Sequence, residues 1–226
     1  MRSSVWMGTL GLGLVLGTAG TAAAAERINE QGRFAVGAER LFGVAWTKET
    51  FKGSGADTSE SATSISFLTK QTNATGVTAP RVAFDYFVID GLSLGAAIGY
   101  ATISTSQKTG STSTDGPSIG GWLLAPRVGY AYMFNDVVGL WPRAGITYTT
   151  LSVSQTGGVS MDSVALSVEV PLVITPAPHA MILIAPTLDW GFAGSAKVDN
   201  ATTGVSGSVD ETQLALGLHA GLGIWF

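Results

Sequence analysis

From Gln213 to Phe226 the chain alternates without a break. Leu214, Leu216, Leu218, Ala220, Leu222, Ile224 and Phe226 share one parity, and Ala215, Gly217, Gly221 and Gly223 share the other with Gln213, His219 and Trp225. Period two belongs to a β-strand, whose successive side chains point to opposite faces. One face of this ribbon is bulky and apolar, and the other is small. A fold built from such ribbons must cover the bulky face with either a protein core or lipid.

Hydropathy bears on that choice. Mean hydropathy is +0.33 with 12% charged residues, yet no apolar run beyond residue 25 approaches the roughly 20 residues that a spanning helix needs. The apolar residues alternate instead. In hydrocarbon every backbone N–H and C=O needs a partner, and a closed ring of strands supplies one to each. The expected fold class is therefore all-β, an eight-stranded antiparallel up-and-down transmembrane β-barrel.

Eight alternating segments support that count: Phe34 to Thr47, Ala79 to Val88, Leu92 to Ser104, Trp122 to Met133, Val138 to Thr149, Val164 to Ile174, Met181 to Phe192 and Gln213 to Phe226. Each is long enough for a tilted strand to cross a membrane. Connections at 89–91, 134–137 and 175–180 are short. Those at 48–78, 105–121, 150–163 and 193–212 are long and rich in Ser, Thr and Gly. Short turns on one side and long loops on the other match the asymmetry of outer-membrane barrels. Aromatics fall at both ends of the segments as two expected girdles: Trp46, Tyr100, Trp122, Tyr148 and Trp190 at the long-loop end, and Phe34, Tyr86, Tyr132 and Phe226 at the other.

A soluble secreted barrel or sandwich would show the same alternation with apolar residues inside. Its polar surface would then be about 25–35% charged. On the small face here only Glu39, Arg81, Asp85, Arg127, Arg143, Glu169 and Asp189 carry charge, and most other positions are Gly, Ala, Ser or Thr. Such residues suit the narrow lumen of eight strands. Three arginines facing four carboxylates, with His219 on the same parity, predict a salt-bridged lumen network; a selective conduit is the sharper alternative.

No catalytic motif is expected. His219 has no nucleophile two residues on, where the triplet is His219-Ala220-Gly221. The chain has no cysteine, no spacing suggests a metal, and no cofactor is implied. The net charge of -4 argues against a nucleic-acid partner.

The alternating terminal strand with its aromatic end resembles the C-terminal signal of bacterial outer-membrane barrels, and the whole of 26–226 resembles, in pattern, the small barrels of the OmpA and OmpX type. The resemblance implies a monomer in a lipopolysaccharide-containing outer membrane, with Leu218, Leu222, Ile224 and Phe226 read by the barrel-assembly machinery. Residues 1–25 fit a secretory signal peptide: Arg2, an apolar core over Val5 to Gly20, and small residues Thr21 to Ala25 before Glu26. The implied role is a non-enzymatic membrane barrel with surface loops, Lys48 to Thr78 foremost, as contact surface. The alternatives are a narrow channel and, behind it, a lipid-modifying enzyme.

Several residues break the pattern. Arg40 shares the parity of Phe42 and Val44, so a bulge over Gly37 to Arg40 is expected to turn it inward. Pro126, Pro142, Pro171 and Pro186 each remove a ladder donor and suggest bulges or bends. Ser64 to Leu68 also reads as strand, expected beyond the membrane. The stretch Ala79 to Tyr86 recurs as Ala125 to Tyr132, a shift of 46 residues that pairs Arg81 with Arg127 and Asp90 with Asp136.

Overall fold

Alternation carries directly into a closed antiparallel wall. The computed structural model describes residues 26–52, 57–68, 70–71, 76–109, 112–154, 159–200 and 205–226, so the expected signal peptide lies outside the described residues. The strands are β1 (Phe34–Lys52), β2 (Thr58–Phe67), β3 (Lys70–Gln71), β4 (Arg81–Phe87), β5 (Leu92–Thr109), β6 (Thr112–Tyr130), β7 (Tyr132–Met133), β8 (Val138–Leu140), β9 (Arg143–Ser154), β10 (Val159–Glu169), β11 (Leu172–Ala177), β12 (Ala180–Asn200) and β13 (Val205–Trp225). β7 continues β6, β8 leads into β9 and β11 continues β10, which leaves eight wall strands. Pairing of β13 with both β12 and β1 closes the ring.

The bulky parity faces outward. Val82, Phe84, Leu94, Ile98, Val128, Ile146, Leu188, Leu218 and Ile224 are all exposed, a continuous apolar belt that a water-soluble surface does not carry. Trp46, Tyr100, Trp122 and Trp190 stand exposed on this outer side toward the long-strand end, with Tyr148 beside Trp122 at 5.3 Å between ring centroids. At the short-turn end Phe34 lies 4.7 Å from Tyr86 and 6.0 Å from Phe226, and Tyr132 is exposed.

The segments expected as long loops are largely strand. β12 and β13 each run 21 residues, about twice the 9–11 that a tilted membrane crossing needs. Ser and Thr read as loop because they are polar, but a strand beyond the membrane needs no apolar face, and Thr favours the extended backbone.

Arg40 does turn inward. It has a φ of 55° at a register shift between Ala38 and Phe42, and it is buried. Pro142 and Pro171 interrupt their strands as expected, whereas Pro126 and Pro186 stay in register opposite Ala96 and Leu218. Segment Ser64 to Leu68 corrects the expectation that it lies beyond the membrane. β2 pairs with Phe42 to Phe51 of β1, while β4 takes Phe34 to Glu39 of the same edge. Ile65 and Phe67 therefore sit level with Val44 and Phe42, with their outer sides exposed, and Phe67 packs edge-on against Phe42 at 5.3 Å.

Candidate functional site

The lumen is filled in three layers. At the short-turn end Phe87, Met133, Trp141, Val173, Met181, Leu183 and Trp225 form one buried apolar cluster with Ile28. Ile28 comes from the segment before β1, which is tied across this mouth: Gln31 N donates to Asp90 Oδ1 at 2.8 Å, Arg27 Nε to Asp136 Oδ1 at 2.8 Å, and Gly91 N to Asn29 O at 2.7 Å. The expected polar interior is thus apolar at this end. Trp141 and Phe87 lie on the inner parity of strands chosen for their outward residues, and tryptophan next to a proline at Pro142 carries no alternation signal.

Charge fills the middle. Arg127 Nη1 meets Glu39 at 2.7 Å and Glu169 at 3.1 Å, and its Nε donates to Asp85 at 3.0 Å. Arg143 reaches Glu39 at 2.7 Å and Glu169 at 2.9 Å, and its guanidinium lies 4.8 Å over the Trp141 ring, joining this layer to the apolar one. Arg40 Nη1 pairs with Asp189 at 2.7 Å, and Ser167 Oγ donates to Asp189 at 2.6 Å. With Arg40 inside, four arginines face four carboxylates, so the network is balanced rather than short of one positive charge.

Arg81 is buried beside this network but pairs with no described residue, and its Nε and Nη2 make no hydrogen bond. The internal repeat therefore places Arg81 and Arg127 alike on the inner wall without giving them like partners. Among the described residues, a cavity of about 10 Å³ is lined in part by Arg81 and Ser167, and another of about 10 Å³ by Arg40 and His219, each room for about one water.

His219 is buried, with Nδ1 3.1 Å from Thr187 Oγ1. A Cβ on Gly43 would come within 2.6 Å of its ring, so only glycine lets the imidazole lie against β1. Asp189 is held by Arg40 and Ser167, and among the described residues no carboxylate hydrogen-bonds the imidazole. Among the described residues no group of three or more His, Cys, Asp or Glu is placed to hold a metal.

The third layer was not foreseen. A 3-10 turn, Gly76–Thr78, leaves the wall and enters the lumen, where Val77 packs with Ala165 and Ala215 and its carbonyl accepts from Arg40 Nη1. The end of the segment expected as a contact surface, Val77 and Thr78, is thus buried inside. The terminal-strand residues Leu218, Leu222, Ile224 and Phe226 are exposed on the outer face, and Phe226 N and O both bond the backbone of Phe34 at 2.9 and 2.8 Å.

A ring of eight antiparallel strands with a bulky apolar outside and a filled inside has likenesses among solved structures. The outer-membrane protein OprG of Pseudomonas aeruginosa matches with a TM-score of 0.53 at 15% identity, over 88% of this chain and 97% of that one. The fold is that of a bacterial outer-membrane β-barrel. The outer-membrane protein AlkL matches at 16% identity over 93% and 97% with a TM-score of 0.49, and the outer-membrane protease OmpT of Escherichia coli at 11% over 86% and 97% with 0.44. At such identities the likeness concerns the barrel and not what it does. No protein-family model matches the sequence, and comparison with curated proteins finds no match.

Proposed function

We propose that the protein is a monomeric, non-enzymatic integral barrel of the bacterial outer membrane, closed along its lumen, whose protruding strands serve as its contact surface. In this reading residues 1–25 are removed on export, and Leu218, Leu222, Ile224 and Phe226 are recognised by the barrel-assembly machinery. The short turns then face the periplasm, and the long strands stand above a lipopolysaccharide leaflet.

One observation carries the reading: Arg40, Arg127 and Arg143 are spent on the four carboxylates of the lumen, with Arg81 buried beside them, between two apolar stoppers, Ile28 below and Val77 above. A conduit needs charged groups that face water and exchange partners with passing ions. Glu39, Arg127 and Arg143 are each engaged at 2.7 Å and buried. Planar-bilayer recording of the folded protein tests the reading. Baseline current without steps is expected, and large, stable single-channel steps would overturn it.

A further inference from the structure

Above the Val77 stopper the inner wall changes character. Glu49 of β1 has Gln213 of β13 on one side and Glu60 of β2 on the other. One inward row further out, Phe51 pairs with Glu211. Gln213 Nε2 donates to Glu49 Oε1 at 3.0 Å. Glu211 is 5% exposed, and its Oε2 has no hydrogen-bond partner. Neither Glu49 nor Glu211 forms an ion pair with a described residue; Lys48 lies on the outward parity of β1.

A second orphan lies one row beneath Glu49. Thr47 is 2% exposed on the same inner parity, and its Oγ1 has no partner because its neighbours across both edges are alanines, Ala215 and Ala62. Buried carboxylate and hydroxyl oxygens without donors are costly, so these oxygens are complementary to a group that brings donors and positive charge together.

We propose that the long-strand mouth binds a primary ammonium group, held by Glu49 and Glu211 and reaching Thr47. An ammonium carries three N–H donors and no acceptor, which is the complement of the orphan oxygens. Phe51, in the row of Glu211, adds an aromatic surface of the kind that favours organic cations. A metal ion fits less well, because no three ligating groups converge among the described residues and hard cations demand six or more oxygens. Burial and the neighbouring Glu49 push the Glu211 carboxyl up to about 7.

The proposal stands apart from lumen closure, since Glu49 and Glu211 lie in the rows beyond the Thr47–Ala215 pair at which the Val77 stopper packs, and it is tested by calorimetric titration of the folded, detergent-solubilised protein at pH 8. The probes are n-butylammonium, putrescine, Nα-acetyl-lysinamide and calcium. Saturable binding of n-butylammonium is expected, weakened about tenfold or more by Glu211→Gln and by Glu49→Gln, as for loss of a charge-assisted hydrogen bond. Preference for putrescine points to a free diamine as the natural source, and preference for acetyl-lysinamide to a lysine of a protein partner. Absence of saturable amine binding, indifference to both substitutions, or tighter binding of calcium than of any amine overturns the proposal. Altered migration of unboiled protein in SDS would report a variant that fails to fold, and the wild-type titration still decides: binding at pH 7 must release protons.

Discussion

Arg40 and Asp189 stand 149 residues apart in sequence and meet at 2.7 Å, both almost wholly buried, so that one ion pair ties β1, β12 and the carbonyl of the Val77 turn together. The left-handed backbone at Arg40 is what aims it there. Without the bulge its side chain would lie in the apolar belt beside Phe42 and Val44, where an arginine costs about 2–4 kcal/mol.

Breaking this pair from one side should be expensive. Asp189→Ala leaves a buried guanidinium uncompensated and is expected to lower stability by about 3–5 kcal/mol. The double variant Arg40→Met with Asp189→Leu should lose less than either single change. Equilibrium urea unfolding in phospholipid vesicles measures all three.

The short-turn stopper is a packing device. Ile28 is 1% exposed among Phe87, Trp141 and Trp225, so Ile28→Ala should cost about 2–5 kcal/mol in the same assay. An equal truncation at exposed Ile89 should fall within about 0.5 kcal/mol, as surface changes generally do.

Much of this architecture was legible in the sequence because lipid enforces period two. Leu214 to Phe226 on β13 and Val82 to Val88 near β4 could be assigned a face residue by residue, and Arg40 identified itself by sitting on the wrong one. The stoppers were not legible, for a physical reason. Ile28 is a lone apolar residue in a polar turn, and Gly76–Thr78 is a single turn; neither has a period to read. The repeat bears on the lower stopper. Its paired turn aspartates, Asp90 and Asp136, both hold the segment that carries Ile28.

The outward face should respond to charge as hydrocarbon does. Leu218 is exposed between Val44 and Pro186 on the neighbouring strands. Leu218→Arg is expected to destabilise the barrel by about 2–4 kcal/mol in vesicles. At Ser208, exposed toward the strand tips, arginine should change stability by less than about 0.5 kcal/mol.

Glu211 should make stability depend on pH in a fixed direction. Its folded-state carboxyl is raised from 4.5 to about 7, by burial first and then by Glu49, and Glu49 is itself raised by burial and by Glu60. β12 brings Gly191, Phe192, Ala193 and Gly194 against this part of β13, none of them charged. A raised acid favours the protonated fold, so stability is full below pH 4.5 and is lost as pH climbs through 7. Relative to Glu211→Gln, the wild-type melting temperature should fall between pH 5 and pH 8, by about 2–4 °C for each kcal/mol lost. A constant difference across that range would contradict the assignment.

The central claim is that acyl chains wet the bulky face while the opposite face is sealed. Tryptophan quenching by brominated phospholipid tests it most directly, in two variants that each keep one tryptophan and carry phenylalanine at the rest. Trp190 is 54% exposed on the outer face, and Trp141 is 0% exposed in the lumen. The account predicts strong quenching of Trp190 and almost none of Trp141 in folded protein. Equal quenching of the two, or an unquenched Trp190, would contradict it.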